Sequence, residues 1–107
     1  MGIGFSHGSG SFSYSQYMDF AVKLSGNNSV GDFNYTELTD LKPALVAYSG
    51  YTVPVEQLAG VIREMKKRIP RWRDLDDDYL RFLKYMGLRL IEGMEEALAK
   101  NEPFTFM

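Results

Sequence analysis

The chain has 107 residues, 45% of them hydrophobic and 24% charged, with seven Tyr and seven Phe, which suits one folded domain with a modest core and excludes a disordered chain. Zero cysteines exclude disulfides, thiolate metal sites and a cysteine nucleophile, and a single histidine argues against an ordinary zinc site. A net charge of −2 gives no global attraction to nucleic acid, so nucleic acid is disfavoured as a partner. No apolar run approaches the roughly 20 residues of a membrane span, and no signal peptide is visible at the start. A cytoplasmic protein without a membrane partner is expected.

Gly2-Ile3-Gly4-Phe5-Ser6 reads as a short strand with Ile3 and Phe5 on one face. Ser13-Tyr14-Ser15-Gln16 has capping-box spacing, so a first helix is predicted over about residues 14–25, stopped by Gly26-Asn27-Asn28. Residues 26–38 are turn-rich and form the longest predicted connection. Thr39-Asp40 can cap a short second helix reaching Tyr48, with Leu41, Leu45 and Tyr48 as its buried stripe. Pro54 opens a third helix, in which Val55, Leu58, Ile62, Met65 and Ile69 recur at helical spacing until Pro70 ends it.

Asp74-Leu75-Asp76-Asp77-Asp78 announces a last helix, because carboxylates there cap free N–H groups and suit the positive end of the dipole. Leu80, Leu83, Gly87, Leu90, Met94 and Ala97 give it one apolar face, which Phe82, Tyr85, Met86 and Ile91 widen. That width predicts either a central helix or one face of a homo-oligomer. Asn101 stops it, and Pro103-Phe104-Thr105-Phe106-Met107 alternates like a strand whose natural partner is the strand at the N-terminus.

Four constellations could carry chemistry. The opening stretch Ser6-His7-Gly8-Ser9-Gly10-Ser11-Phe12-Ser13-Tyr14 is a glycine- and serine-rich loop running into a helix, where backbone N–H groups can converge on an anion. It lacks the lysine and the fixed spacing of a phosphate loop, and a connector that merely caps the helix is the alternative. Ser6, His7, Ser9, Ser11, Ser13, Tyr14 and Tyr17 are its candidate ligand contacts. His7 could also act as a base. No carboxylate near it in sequence orients its ring, so a hydrogen-bonded structural histidine is the plainer reading.

Lys66, Lys67, Arg68, Arg71 and Arg73 surround Trp72 in a basic patch of the type that grips a phosphate backbone. The acidic run that follows neutralises much of it, and the three residues in the helix end also complement the helix dipole. The acidic run could hold Mg²⁺, with helix capping as the alternative. Tyr14, Tyr17, Tyr48, Tyr51, Tyr79 and Tyr85 could line a groove or an interface, or be half-buried core residues.

Gly4-Phe5-Ser6-His7, Phe12-Ser13-Tyr14-Ser15, and the stretch from Leu88 to Ala97 followed by Glu102-Pro103-Phe104-Thr105-Phe106 together resemble small actinobacterial and actinophage proteins of unknown function that open with this tetrad. The resemblance covers both ends. In the middle those proteins carry an aspartate-rich loop where this chain has Ser49-Gly50-Tyr51-Thr52-Val53-Pro54, so no metal site is carried over. The resemblance implies a phage context and supplies no activity.

The expected fold is a small, mainly helical α+β domain of about four helices with a minor two-stranded sheet pairing the N- and C-termini. The expected function is that of a non-catalytic, phage-type binding protein that needs no cofactor and sequesters a nucleotide-like immune signal as counter-defence. An inhibitor of a host protein with no small-molecule ligand is the second expectation, and a hydrolase using His7 the third.

Overall fold

The computed structural model describes residues 2–26, 39–46, 48–73 and 77–107. These form a mainly helical α+β domain with two small antiparallel sheets. The elements are β1 (Gly2–Gly4), β2 (Ser11–Ser13), α1 (Tyr14–Ser25), a 3₁₀ turn (Thr39–Leu41) leading into α2 (Lys42–Leu45), β3 (Thr52–Val53), α3 (Val55–Arg68) with a 3₁₀ turn at Ile69–Arg71, α4 (Asp78–Ala99) and β4 (Phe104–Thr105).

Helix α1 starts where the spacing predicts. The Ser13 hydroxyl accepts from Gln16 N–H and the Gln16 side chain accepts from Ser13 N–H, while left-handed Gly26 closes the other end. Its buried residues Tyr17, Phe20, Ala21 and Leu24 face the core. Helix α3 begins directly after Pro54 and buries Leu58, Val61, Ile62 and Met65.

The second helix is shorter than predicted. It stops at Leu45, because the chain beyond is drawn into strand pairing: Gly50 N–H donates to Phe106 O, and Phe106 N–H to Tyr51 O. Tyr48 is therefore 57% exposed instead of belonging to a buried stripe. Residues 27–38 of the predicted connection over 26–38, and Asp74 to Asp76 of the acidic run, lie outside the described residues.

Helix α4 runs through the middle of the domain and packs against α3, α1, β4 and the turn at Ile69–Arg71. Asp77 caps it, its carboxylate accepting from the N–H groups of Tyr79 and Leu80. At the far end Asn101 adopts φ 56°, with Asn101 N–H donating to Leu98 O and Glu102 N–H to Ala97 O. That is a Schellman turn, and it aims the chain back across the domain.

The terminal strands pair differently from the expectation in one respect. Strand β1 pairs with β2, and β4 with β3. The two ends of the chain still meet, through a bridge between Phe5 and Phe106, with Ser6 N–H donating to Thr105 O and Met107 N–H to Gly4 O. Strands this short cannot bury a face alone, so each strand pair leans on the rings behind it.

Those rings make the core. Phe12 and Phe20 lie 5.0 Å apart, Phe104 and Phe106 5.1 Å, and Tyr17 meets Phe106 edge-on. Ile3, Leu24, Leu41, Leu58, Met65, Ile69, Leu83 and Leu90 fill the space between them, each contributing about 1.5–3 kcal/mol on burial.

Candidate functional site

The opening loop lies flat on α4. At Gly8 the backbone takes φ +74°, and a Cβ there would stand 2.8 Å from Gly93 Cα. A Cβ on Gly93 would collide with the His7 carbonyl oxygen. Two glycines facing each other thus let the loop touch the helix backbone.

The contact brings His7 to a carboxylate distant in sequence. The Thr105 N–H donates to Ser6 Oγ at 2.9 Å, Ser6 Oγ lies 2.8 Å from His7 Nδ1, and His7 Nε2 lies 3.0 Å from Glu102 Oε1. An ionised carboxylate only accepts, so in the neutral ring the proton sits on Nε2 and Nδ1 accepts from the Ser6 hydroxyl. Ser6, His7 and Glu102 form one directed chain that ties the opening loop to the segment after α4. Phe104 stands beside the imidazole, 6.2 Å between ring centres.

The loop already holds an anion of its own. Gly8 N–H donates to Glu96 Oε2 at 2.9 Å. The Lys100 ammonium and this N–H keep the Glu96 carboxyl below its ordinary range. A protein carboxylate occupies the position a phosphate would need at that amide. Arg89 donates to Ser9 Oγ and reaches Glu92 at 3.5 Å.

The other residues singled out by the sequence separate. Ser13 is the cap of α1, Ser11 is exposed on β2, and Tyr14 is 42% exposed. Tyr17 leaves the set of ligand contacts: it is 2% exposed, its hydroxyl donates to Ala44 O, and burial pushes its pKa far up. In the basic patch, Lys66 pairs with Glu95 at 2.6 Å, and Lys67 and Arg68 both pair with Glu64. Trp72 is half-buried edge-on against Phe20, with the Lys23 ammonium 5.1 Å from its ring centre. Arg71 and Arg73 are exposed. Three of the five cations of the patch are thus engaged in ion pairs within the fold, and its indole is packed.

A recess lies elsewhere on the domain. Between the 3₁₀ turn with α2 on one side and α3 on the other lies a cleft of about 450 Å³. Tyr51 and Pro43 supply its apolar wall; Lys42, Asp40, Glu56, Gln57 and Thr39 supply polar groups; Gly60 lies in the lining. Tyr51 is held in place by stacking on Phe106 and by the Tyr48 ring at 5.3 Å. Asp40 is bonded to Arg63 at 2.7 Å. Of the tyrosines considered from sequence, Tyr51 is the one that lines it.

Glu102 and most of the cleft carry no sequence signal. Glu102 stands 95 positions from His7, and the cleft residues come from three elements without a motif. No helix among the described residues is long and apolar enough to cross a membrane, and no group of three or more His, Asp or Glu side chains converges among them. No family model, curated protein or solved structure matches the chain.

Proposed function

We propose that this is a non-catalytic binding protein whose ligand is a small nucleotide-like molecule, seated in the cleft between α2 and α3. The observation that carries the reading is the cleft itself, about 450 Å³ with a braced aromatic wall and polar groups of both signs. A base stacks on Tyr51, its edge is read by Glu56 and Gln57, and an anionic group meets Lys42. Sequestration of a nucleotide signal in a phage context is the role this chemistry serves, the context resting on the resemblance at the two chain ends.

Thermal shift against cyclic dinucleotides and ADP-ribose derivatives tests it. A ligand at a hundredfold its Kd adds about 2.7 kcal/mol, which raises the melting temperature by about 10 °C or more in a domain of this size. Tyr51→Ala abolishes the shift while Ser9→Ala leaves it intact, which separates the cleft from the opening loop. Absence of any shift across the panel overturns the reading.

One observation favours a second reading, ester hydrolysis by Ser6 with His7 as base: the Ser6–His7–Glu102 chain has the order nucleophile, base, carboxylate. The ring nitrogens are exchanged relative to a Ser–His–Asp triad, and Ser6 Oγ already accepts the Thr105 N–H. Turnover of p-nitrophenyl acetate that is lost in both Ser6→Ala and His7→Ala would establish it over binding.

A further inference from the structure

The outward face of α4 carries a stripe, Arg81, Tyr85, Leu88, Glu92, Glu95 and Ala99, at alternating intervals of four and three. That is the spacing of a helix face that meets another helix. On one flank of this stripe α4 is covered by the opening loop through Arg89 and Gly93, and at its other edge Glu95 is paired with Lys66 of α3. The middle of the stripe is apolar and open, with Tyr85 54% and Leu88 37% exposed.

Its two halves differ in sign. Arg81 lies toward the N-terminus of the helix, with Lys84 at the edge of the stripe donating to the Trp72 carbonyl oxygen, and Glu92 and Glu95 lie toward its C-terminus. Leu88 is the midpoint of Arg81 and Glu95, and also of Lys84 and Glu92. A face whose charges invert about a central leucine is complementary to itself turned end for end.

We propose that this face is where a second copy of the chain docks, α4 lying antiparallel to the partner's α4 about a two-fold axis at Leu88. In that arrangement Arg81 meets the partner's Glu95, and by symmetry the pair forms twice. Leu88 packs on its own counterpart and the two Tyr85 rings flank it. A parallel pairing would set Arg81 on Arg81 and Glu95 on Glu95, so like-charge repulsion selects the antiparallel one. Opposed helix dipoles favour the same choice.

The pairs already present within the subunit do not prevent it. Glu95 takes Lys66 on Oε2 and Arg81 pairs with Asp78 among its other contacts, but a carboxylate offers about four acceptor positions and a guanidinium five donors. One helix face covers less than the roughly 800 Å² per partner of a standard interface, so the dimer is in reversible, salt-sensitive exchange.

Sedimentation velocity over a concentration series, with circular dichroism to confirm that each variant is folded, tests the proposal. The wild type moves from monomer to dimer as concentration rises; Arg81→Glu alone stays monomeric; Arg81→Glu combined with Glu95→Arg dimerises again. Because the chain has no cysteine, Leu88→Cys gives a second readout, in which mild oxidation yields a covalent dimer while Glu56→Cys on α3 does not. A wild type that remains monomeric up to its solubility limit overturns the proposal. So does a dimer that persists in Arg81→Glu, a charge swap that fails to restore association, or a Glu56→Cys variant that crosslinks as readily as Leu88→Cys.

Discussion

Single residues decide how the opening loop sits. Gly93 is the position where α4 admits the His7 carbonyl, so Gly93→Ala is expected to destabilise by about 1–3 kcal/mol despite the better helix propensity of alanine. Gly60→Ala is the control: in α3 the added Cβ meets the Asp40 side chain at an ordinary 3.4 Å, and a gain of up to about 1 kcal/mol is expected. Chemical denaturation of the two variants beside the wild type reads both signs. Glu64 is the residue with a pH signature. Hydrogen bonds from Lys67 and Arg68 lower its pKa from 4.5 to about 2, so its contribution is present above pH 4.5 and lost as pH falls toward 2. Glu64→Gln is expected to flatten that part of the acid-unfolding curve, with an effect at neutral pH of no more than about 1 kcal/mol because the pair is close to solvent.

At the scale of elements, local rules set the helices and nonlocal contacts set the strands. Removing the α4 cap with Asp77→Ala is expected to cost about 1 kcal/mol and roughly 5 °C in melting temperature, whereas Asp77→Asn retains most of the stability. The same locality made α1, α3 and α4 legible in the sequence, since the Ser13–Gln16 box, Pro54 and Asn101 act within a turn of where they stand. The partner of β1 was not legible in this way. Strands of three residues, one of them two-thirds glycine, carry almost no pattern, and their pairing is set by the fold around them. The candidate sites divide on the same principle. His7 could be picked out as the one histidine, but its partner Glu102 is set by the turn that ends α4, and the cleft joins Tyr51, stacked on Phe106, to residues of α2 and α3 that no motif links.

For the whole molecule, the decisive interaction is between the chain's ends, where Phe5 bridges Phe106 and the Ser6–His7–Glu102 chain spans the same junction. Contacts so far apart in sequence close a long loop at an entropic cost and tie both ends to one core, so unfolding is expected to be a single cooperative event. Trp72 gives that expectation its own instrument. It is the sole tryptophan, held between Phe20 of α1 and the start of α4, where Lys84 donates to its carbonyl oxygen. Its emission therefore reports one junction, the packing of α1 against the segment that follows α3, with no second indole to blur it. Native protein is expected to emit to the blue of the denatured chain, and the fluorescence midpoint in urea should coincide with the midpoint from far-ultraviolet circular dichroism. A fluorescence transition that precedes the loss of helix would mean that α1 detaches while α4 still stands, turning an ordinary packing contact into a direct optical record of the order in which the domain comes apart.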